Sequence, residues 1–516
     1  MARSRHSLIK KTAEMSIGAL LSKLFGFFRE VLLVRFLGVG VFADAFNMAY
    51  MVPNAMRKIF AEGALAAALS PTIVDVLRTK SNREVSRLIT ASLLVIQGCA
   101  VLVCLGVAWK ANVVVKLVAP GFLATQHAVT SDLIRVLIFL IFFVSAAAVL
   151  GAALLAVQRI FILSYASVVV NILFIIELVL AIYYQLTLQT LAWLILVNGL
   201  VFLTLYLAAY ARAGFSYHLP TTRTWQTFSR VGRKLLPCIF TAGSTELSLI
   251  IDRIMASYLP AGSISLLTYT SAFIRLPLVI FAQSFATMLL PHLSEVTSYA
   301  PKRLSFYVFE SFKFVTWMML PTAILMMYYS HHIFSTFFLS SSFSYVHVNE
   351  ASIILIAYAW ALVFYALNRV LAHVFYAMHD TATPTVISII AAAINAGLNI
   401  VFMYYWGVVG IALATSVAEV IKTIILFTAL SFWYKAIVYF QRSGMFLVRA
   451  LSQMLCIGVP IMLVYTLLLG VLQSISCDFL VEGVGFWIWV IPIWLLGGRL
   501  MYLTRDHFNL RLYFLS

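Results

Sequence analysis

The sequence predicts an all-α polytopic membrane protein with about fourteen transmembrane helices, arranged as two six-helix lobes plus two extra carboxy-terminal helices. Composition is the first reason. Of the 516 residues, 63% are hydrophobic and 10% are charged, whereas soluble domains are about 45–50% apolar and ~25% charged. The second reason is that apolar runs of roughly 20 residues, enough to cross a bilayer, recur along almost the whole chain. Little sequence remains for a soluble catalytic domain.

Short polar or Pro/Gly-containing breaks separate these runs and set the expected helix boundaries. The first run contains Lys23, Arg29 and Glu30 and lacks a small-residue cleavage site, so we expect a retained first helix rather than a signal peptide. The predicted spans are residues 15–37, 43–70, 86–109, 131–157, 160–184, 190–211, 232–258, 264–292, 303–329, 349–377, 383–405, 408–434, 446–473 and 480–503.

The lengths of the connections indicate the domain organisation. Helices 1 to 6 and 7 to 12 have comparable lengths, and the longest cytoplasmic connection separates the two sets, a layout typical of transporters built from repeats. We see no residue-level repeat, so this division rests on hydropathy alone. The predicted parts are a cytoplasmic tail (1–14), an amino-terminal lobe (15–211), a cytoplasmic linker (212–231), a carboxy-terminal lobe (232–434), a pair of helices (446–503) and a cytoplasmic tail (504–516).

The basic residues indicate the orientation in the membrane. The chain has 35 Lys and Arg against 18 Asp and Glu, a formal net charge of +17. When alternate connections are assigned to opposite sides, 22 Lys and Arg fall on one side and two, Lys110 and Lys116, on the other. Cytoplasmic loops carry such an excess, so both termini are expected in the cytoplasm. This bias explains the basic balance without a nucleic-acid partner.

Ionisable residues inside the predicted spans are the candidate functional groups. A charge at the centre of a spanning helix costs roughly 2.5–3.5 kcal/mol on insertion scales, so such residues usually face a protein interior or a water-filled cavity. One stripe along the second span, within about 80° on the helix surface, comprises Asp44, Asn47, Met51, Asn54, Lys58 and Glu62. Pro53 is expected to kink this helix. For any single residue, a buried polar seam between helices is the competing interpretation.

Later spans repeat this pattern more weakly. Glu246 and Arg253 share a face of helix 7, and Arg275 lies on helix 8. For these residues, an internal pair that only stabilises packing is an equally good interpretation. Two further i,i+3 pairs are interpreted as structural, namely Glu310 with Lys313 and Glu419 with Lys422.

Enzyme motifs are absent from the sequence: it has no Walker A motif, no HExxH zinc motif and no nucleophile elbow. The sequence therefore predicts a transporter, driven by an ion gradient or the membrane potential, and a cation-rich cavity suits an anionic substrate. We expect no resident cofactor, with Na⁺ or H⁺ as the candidate coupling ions. A possible Na⁺ site comprises Glu246, Asn395, Asn399 and Thr415, although a polar seam explains these residues equally well.

Several motifs resemble the MurJ (MviN) lipid II flippase family of the multidrug/oligosaccharidyl-lipid/polysaccharide exporter superfamily. The most specific is the block Arg57 to Ala64, with sequence RKIFAEGA, and the resemblance runs from about residue 15 to residue 434. The other matching stretches are Ser22 to Glu30, Asp44-Ala45-Phe46, Pro53-Asn54, Ala119-Pro120-Gly121-Phe122, Ala256-Ser257, Gly262-Ser263, Leu290-Pro291, Phe375-Tyr376, Asp380 and Thr383-Pro384. Beyond residue 434 only the hydropathy agrees.

This resemblance implies a flippase of the bacterial cytoplasmic membrane. Its substrate would be lipid II, the undecaprenyl-pyrophosphate-linked peptidoglycan precursor, moved from the inner to the outer leaflet by alternating access. The resemblance implies a cationic cavity between the lobes and a groove at helices 13 and 14 for the lipid tail. By motif position, the substrate-binding residues would be Arg29, Asp44, Arg57 and Glu62, with Lys23, Glu30 and Lys58 where the family usually has Arg, Asp and Arg.

The chain departs from the family on helix 8. The family usually has an arginine five residues before the helix 8 proline and an acidic residue two before it, but here these positions are Ala272 and Arg275. The positive charge has moved three residues, which keeps nearly the same helix face. We therefore expect Arg275, together with Arg253, to supply the second lobe's cation for the pyrophosphate.

Two alternatives to lipid II transport were weighed. The first is an ion-coupled exporter of drugs or of other lipid-linked oligosaccharides from the same superfamily, and a drug antiporter would favour acidic residues in the cavity. The second is a non-transporting envelope scaffold, which the short loops disfavour because they offer little docking surface. No obligate protein partner is evident in the sequence. The exact headgroup, the driving ion and the oligomeric state are left open at this point.

Overall fold

The fold is described from a computed structural model. The structure describes residues 2–59, 65–79, 81–157, 159, 161–244, 246–299, 303–433, 440–475 and 483–515. The α-helices are α1 (Ala2–Leu37), α2 (Val41–Met56), α3 (Leu65–Thr79), α4 (Asn82–Trp109), α5 (Ala111–Val118), α6 (Ala124–Leu137), α7 (Leu140–Ala156), α8 (Phe161–Tyr183), α9 (Leu188–Arg212), α10 (Thr222–Ser244), α11 (Leu247–Ala256), α12 (Ser263–Pro277), α13 (Ser284–Tyr299), α14 (Leu304–Tyr328), α15 (Ser330–Phe337), α16 (Tyr345–Ala359), α17 (Leu362–Ala377), α18 (Ala382–Trp433), α19 (Phe440–Ser474) and α20 (Gly483–Thr504). A π-helix, Leu278–Gln283, joins α12 to α13, and a 3-10 turn covers Tyr513–Leu515.

The predicted all-α polytopic class is confirmed. Among the described residues, nine helices are long and apolar enough to cross a membrane, or ten if the pair α16 and α17, bent by 45°, counts as one span. Helix α18 contains a non-helical residue, Gly407, and so covers two predicted spans. The first, second and seventh predicted spans lie on α1, on α2 with α3, and on α10 with α11. Helices α2, α3 and α11 have 16, 15 and 10 residues, so each is shorter than a full span, and charged residues lower the apolar character of α1 and α10.

The described part of the second predicted span changes its backbone shortly after Pro53. Helix α2 continues through Pro53, and its regular α-helical backbone ends at Met56. Residues 57–59 are π-helical, and the description of the chain resumes with α3 at Leu65. Proline removes its own N–H bond but leaves its carbonyl as an acceptor, and the Arg57 N–H bonds to the carbonyl of Pro53. The change of backbone therefore follows the proline by about one turn.

The helix that contains the start of the seventh predicted span begins before that span. Helix α10 begins at Thr222 rather than at residue 232, so ten residues of the predicted linker are helical. Contacts divide the chain into two compact units, Met1–Thr268 and Tyr269–Ser516. In this conformation α10 and α11 belong to the first unit. The functional lobes 15–211 and 232–434 stay a prediction.

The core of the first unit is built around α7. Nearly every residue of α7 from Val144 to Leu154 is buried, and five of these are alanine. Small side chains let helix backbones approach closely, which is the usual basis of helix packing in membranes. Apolar residues of α3, α4, α9 and α10 complete this core. Helix α10 is thereby fixed against this core through Val231, Phe228 and Leu235.

In the second unit, one buried glutamine ties the last two helices to α14. The side chain of Gln453 on α19 is 0% exposed. Its Oε1 accepts from Trp317 Nε1 at 3.1 Å, and its Nε2 donates to the carbonyl of Met501 at 2.6 Å and to Thr504 Oγ1 at 3.0 Å. A single side chain thus joins α14, α19 and α20.

Replacing Gln453 by leucine is expected to destabilise this junction. Leucine has a similar size but leaves the Trp317 indole N–H buried without an acceptor, at a cost of about 1–3 kcal/mol. The melting temperature of the protein in detergent should fall. Ser452→Ala is the control, because the exposed Ser452 hydroxyl only bonds its own helix at the Val448 carbonyl, and its melting temperature should not change. Equal melting temperatures for Gln453→Leu and wild type would contradict this account.

The predicted tail 504–516 is folded back on α14. Tyr513 N–H donates to Glu310 Oε2 at 3.1 Å, and Lys313 Nζ donates to the carbonyl of Arg511 at 2.7 Å. Glu310 and Lys313 form an ion pair at 2.5 Å, as predicted. The predicted Glu419 and Lys422 pair is wrong. Among the described residues, Glu419 instead accepts from Asn368 Nδ2 at 2.6 Å, because α17 brings an amide donor to it.

Candidate functional site

Asp44 of α2 caps the start of α12. Its side chain is 2% exposed. Its Oδ2 accepts from the Gly262 N–H at 2.7 Å and its Oδ1 from the Ser265 N–H at 2.8 Å. The first N–H groups of a helix lack partners within the helix, and a carboxylate satisfies both them and the positive end of the helix dipole. A residue from the second predicted span thus completes a helix of the eighth.

Glycine is required where this contact forms. Gly262 has a φ of 103°, in a region that residues with a Cβ rarely adopt. A Cβ at this position would also lie 2.6 Å from Cγ1 of Val39 in the turn between α1 and α2. The α1–α2 turn and the α12 start are therefore packed against each other closely enough for Asp44 to bridge them.

A second close contact joins the turn after α5 to the end of α11. The Gly121 N–H donates to Ser257 Oγ at 3.2 Å. A Cβ on Gly121 would collide with the Ser257 carbonyl oxygen. Both residues belong to stretches quoted for the family resemblance, and both lie on the predicted non-cytoplasmic side, as Asp44 does.

Lys58 and Glu246 form an ion pair. Lys58 Nζ lies 2.8 Å from Glu246 Oε2, with the side chains 24% and 17% exposed. The sequence assigned Lys58 to substrate binding and Glu246 to a possible Na⁺ site, and the structure brings the two together. Glu246 stands at the amino-terminal cap of α11, where a negative charge is favoured by the helix dipole.

Arg29 is held against α8. Its Nη1 donates to Asn171 Oδ1 at 3.2 Å, and its Nη2 lies 3.3 Å from Glu30 Oε2. The guanidinium carbon sits 5.3 Å from the ring centroid of Phe174, within range of a cation–π interaction. These partners fix the arginine while leaving part of its side chain exposed.

Arg57 is held by its own helix. Its Nε and Nη2 donate to Asn54 Oδ1 at 3.3 and 3.0 Å. Lys23 is exposed on α1, and Arg253 is half-buried on α11 beside the buried Asp252. Glu62, also predicted for the site, lies outside the described residues.

The remaining predicted residues lie in the second unit. Arg275 on α12 donates from Nη2 to Ser271 Oγ at 2.8 Å and from Nε to the Ser271 carbonyl at 3.2 Å. Asn395, Asn399 and Thr415 are buried on α18. The described part of the chain holds no group of three or more His, Cys, Asp or Glu residues that could hold a metal ion. The Na⁺ site stays a prediction.

Sequence reasoning missed the residues that position the charges. Asn171 and Phe174, the partners of Arg29, were read only as part of an apolar span. A single Asn inside the apolar stretch of α8 was the available signal.

Comparison with known proteins decides the family. The family profile described as "Lipid II flippase MurJ" matches residues 33–484. This chain belongs to the MurJ lipid II flippase family. A probable lipid II flippase MurJ from Vibrio cholerae is 26% identical over 441 residues, which cover 82% of this chain and 83% of that protein. The one from Rhizobium meliloti is 30% identical over 434 residues, covering 82% and 81%.

Solved structures agree on the fold. The structure described as "Lipid II flippase MurJ, inward closed conformation" is similar with a TM-score of 0.78 at 22% identity, covering 95% of this chain and 99% of that one. An inward-facing multidrug resistance MATE family transporter of the MOP superfamily gives a TM-score of 0.68 at 14% identity, covering 84% and 98%. At these identities the likeness concerns the fold alone. The chain thus has the fourteen-span MurJ fold and is a membrane transporter rather than an enzyme.

Proposed function

We propose that this chain moves lipid II from the inner to the outer leaflet of a bacterial cytoplasmic membrane by alternating access. Family membership over residues 33–484 is the observation that carries the proposal. Curated relatives of this family are named probable lipid II flippases. The cations on α1 and α2 support an anionic headgroup, since a pyrophosphate entering a low-dielectric site needs positive partners.

In this proposal, Arg29, Arg57 and Lys58 bind the pyrophosphate. Arg29 and Arg57 present planar guanidinium groups, which can grip phosphate oxygens in bidentate fashion, while Lys58 acts as a point charge. Arg29 donates to the neutral amide of Asn171 and also pairs with Glu30, and Arg57 donates to the neutral amide of Asn54. An amide orients a cation without cancelling its charge. Glu246 neutralises Lys58 while no substrate is bound. A phosphate would compete with this carboxylate for the lysine.

Asp44 acts as a gate in the same proposal. Its two hydrogen bonds to the start of α12 hold together segments on the predicted non-cytoplasmic side. Release of a headgroup on that side requires these bonds to break, and return to the starting state requires them to form again. Arg275, Arg253, Lys23, Glu30 and Glu62 complete the proposed substrate-binding set. Helices α19 and α20 provide the surface for the lipid tail.

A complementation experiment tests the function. Bacterial cells depleted of their own lipid II flippase should grow again when this chain is produced. Their lipid II should also become accessible to a lipid II-cleaving enzyme added outside the cells. A chain that inserts in the membrane but restores neither growth nor this accessibility would overturn the proposal.

The orientation is a separate prediction. Single cysteines at Arg83, Thr222 and Arg442 are expected in the cytoplasm, and those at Thr125 and Ser341 outside, because the basic connections stay inside. A membrane-impermeant thiol reagent added to intact cells should label only the second group. Labelling at position 222 would reverse the assigned orientation.

A further inference from the structure

Helix α10 presents two different faces. Thr224, Thr227 and Val231 are buried, at spacings of three and four residues. Phe228 and Leu235 pack on the core of the first unit. Residues three, four and seven apart share a helix face, so this side of α10 is fully used by the fold. The opposite side is turned away from the core.

The outer side carries three exposed arginines. Arg223, Arg230 and Arg233 are exposed and fall on one stripe, since they are seven and three residues apart. None of the three forms an ion pair with a carboxylate in the part of the chain that the structure describes. The sequence has no Asp or Glu between Glu177 and Glu246. The first turn of α10 also lacks an acidic residue, so the helix dipole adds to the positive potential.

Exposed apolar side chains lie in the first turn of α10 and in the segment that precedes it. Tyr217 is 55% exposed, Leu219 is 84% exposed and Trp225 is 42% exposed. Trp225 contacts Phe228 edge-on, with ring centroids 6.0 Å apart, so its ring is fixed at the surface. A basic helix face with Trp, Tyr and Leu next to it is typical of a segment that lies in the membrane interface.

We propose that this face of α10, together with the preceding turn at residues 217–221, binds anionic phospholipid headgroups in the leaflet on its side of the membrane. The arginines pair with lipid phosphates, while Leu219 and Trp225 enter the boundary between headgroups and acyl chains. A nucleic acid also offers phosphates, but it would leave Leu219 in water. The continuation of α10 leads to Glu246, so bound lipid would anchor the helix that precedes the Lys58 partner.

The experiment measures lipid binding by the purified full-length protein and uses no lipid II, so it is independent of the proposed function. The protein is placed in micelles containing equal amounts of phosphatidylglycerol and phosphatidylcholine, and the retained lipids are counted by native mass spectrometry. The variant combines Arg223→Gln, Arg230→Gln and Arg233→Gln. Because each basic residue near an anionic surface contributes to binding, phosphatidylglycerol retention should fall on the order of tenfold or more, with phosphatidylcholine unchanged.

A matched control removes the same charge elsewhere. Arg78→Gln, Arg83→Gln and Arg303→Gln together change three other exposed arginines and should retain phosphatidylglycerol within about twofold, because they lie outside this face. The triple Arg→Lys variant at 223, 230 and 233 keeps the charge and should retain binding. Wild-type binding should weaken as salt is raised from 0.05 to 0.5 M, because exposed charges are screened.

Three results would overturn the proposal. The first is wild-type phosphatidylglycerol retention by the triple Gln variant. The second is wild-type binding that does not respond to salt. The third is that nucleic acid, rather than phosphatidylglycerol, co-purifies with the wild-type protein and is lost when the three arginines are replaced. If the triple Gln variant cannot be purified, the single changes Arg223→Gln, Arg230→Gln and Arg233→Gln decide. Each removes one charge from this face and should lower phosphatidylglycerol retention, and unchanged retention in all three would contradict the proposal.

Discussion

Asp44→Ala is expected to abolish translocation while the protein stays in the membrane at near normal abundance. The change removes both hydrogen bonds to the start of α12 and leaves the N–H groups of Gly262 and Ser265 buried without acceptors. Each such group costs about 1–3 kcal/mol, and 1.4 kcal/mol shifts a conformational equilibrium about tenfold. The conformation that Asp44 holds together would therefore be depopulated by at least about tenfold.

The measurement is lipid II translocation in proteoliposomes, with abundance in cells followed by immunoblot. Asn47→Ala is the control one turn along α2, because Asn47 Nδ2 only donates to the carbonyl of Ala43 in its own helix. We expect its translocation to stay near wild type. Asp44→Asn should also be impaired, since its amide group places a donor against a backbone N–H. A collapse in abundance of Asp44→Ala would make Asp44 a folding residue rather than a gate.

Reversing the charge of Lys58 or of Glu246 is expected to have the second largest effect. Lys58→Glu places two carboxylates where an ion pair stood at 2.8 Å, and Glu246→Lys places two cations there. Breaking a fully buried pair costs about 3–5 kcal/mol, and the partial exposure of this pair lowers that figure. Each single reversal should reduce both the melting temperature and translocation.

The double change Lys58→Glu with Glu246→Lys separates packing from substrate binding. It restores the ion pair, so the melting temperature should recover. Translocation should not recover, because position 58 would then present a negative charge to the pyrophosphate. The exchanged surface pair Asp132→Arg with Arg135→Asp is the control, since Asp132 and Arg135 are exposed and one turn apart on α6, and it should be close to neutral. Full recovery of translocation would show that Lys58 acts only in packing.

Most of the fold could be predicted because apolar runs of membrane length are a strong physical signal. Helix ends and backbone irregularities could not be predicted where polar or charged residues interrupt the apolar runs. The start of α10 at Thr222 was missed because its exposed arginines and polar residues resemble a linker. Pro53 was expected to kink the helix, and the π-helical backbone at residues 57–59, about one turn later, was not anticipated. In both places the backbone conformation depends on packing against neighbouring helices, which the periodicity of apolar residues does not reveal.

The site could be predicted only as a set of charges. Asp44, Lys58 and Arg29 stand out because ionisable residues are rare in spanning helices. Their partners could not be found this way. Gly262, which donates to Asp44, lies 218 positions along the chain, and Glu246 lies 188 positions from Lys58. Such pairings depend on how helices far apart in sequence pack together, and no local pattern encodes them.

The most direct test of the account is translocation of fluorescent lipid II by the purified chain in liposomes. The label facing outward is quenched by a membrane-impermeant reductant, first without an ion gradient and then with a Na⁺ gradient, a proton gradient or a membrane potential. We expect labelled lipid II to cross the bilayer in wild-type proteoliposomes under at least one of these conditions, and Asp44→Ala proteoliposomes to match protein-free liposomes. Wild-type proteoliposomes that behave as protein-free liposomes under every condition, or an Asp44→Ala protein that transports as fast as wild type, would contradict it.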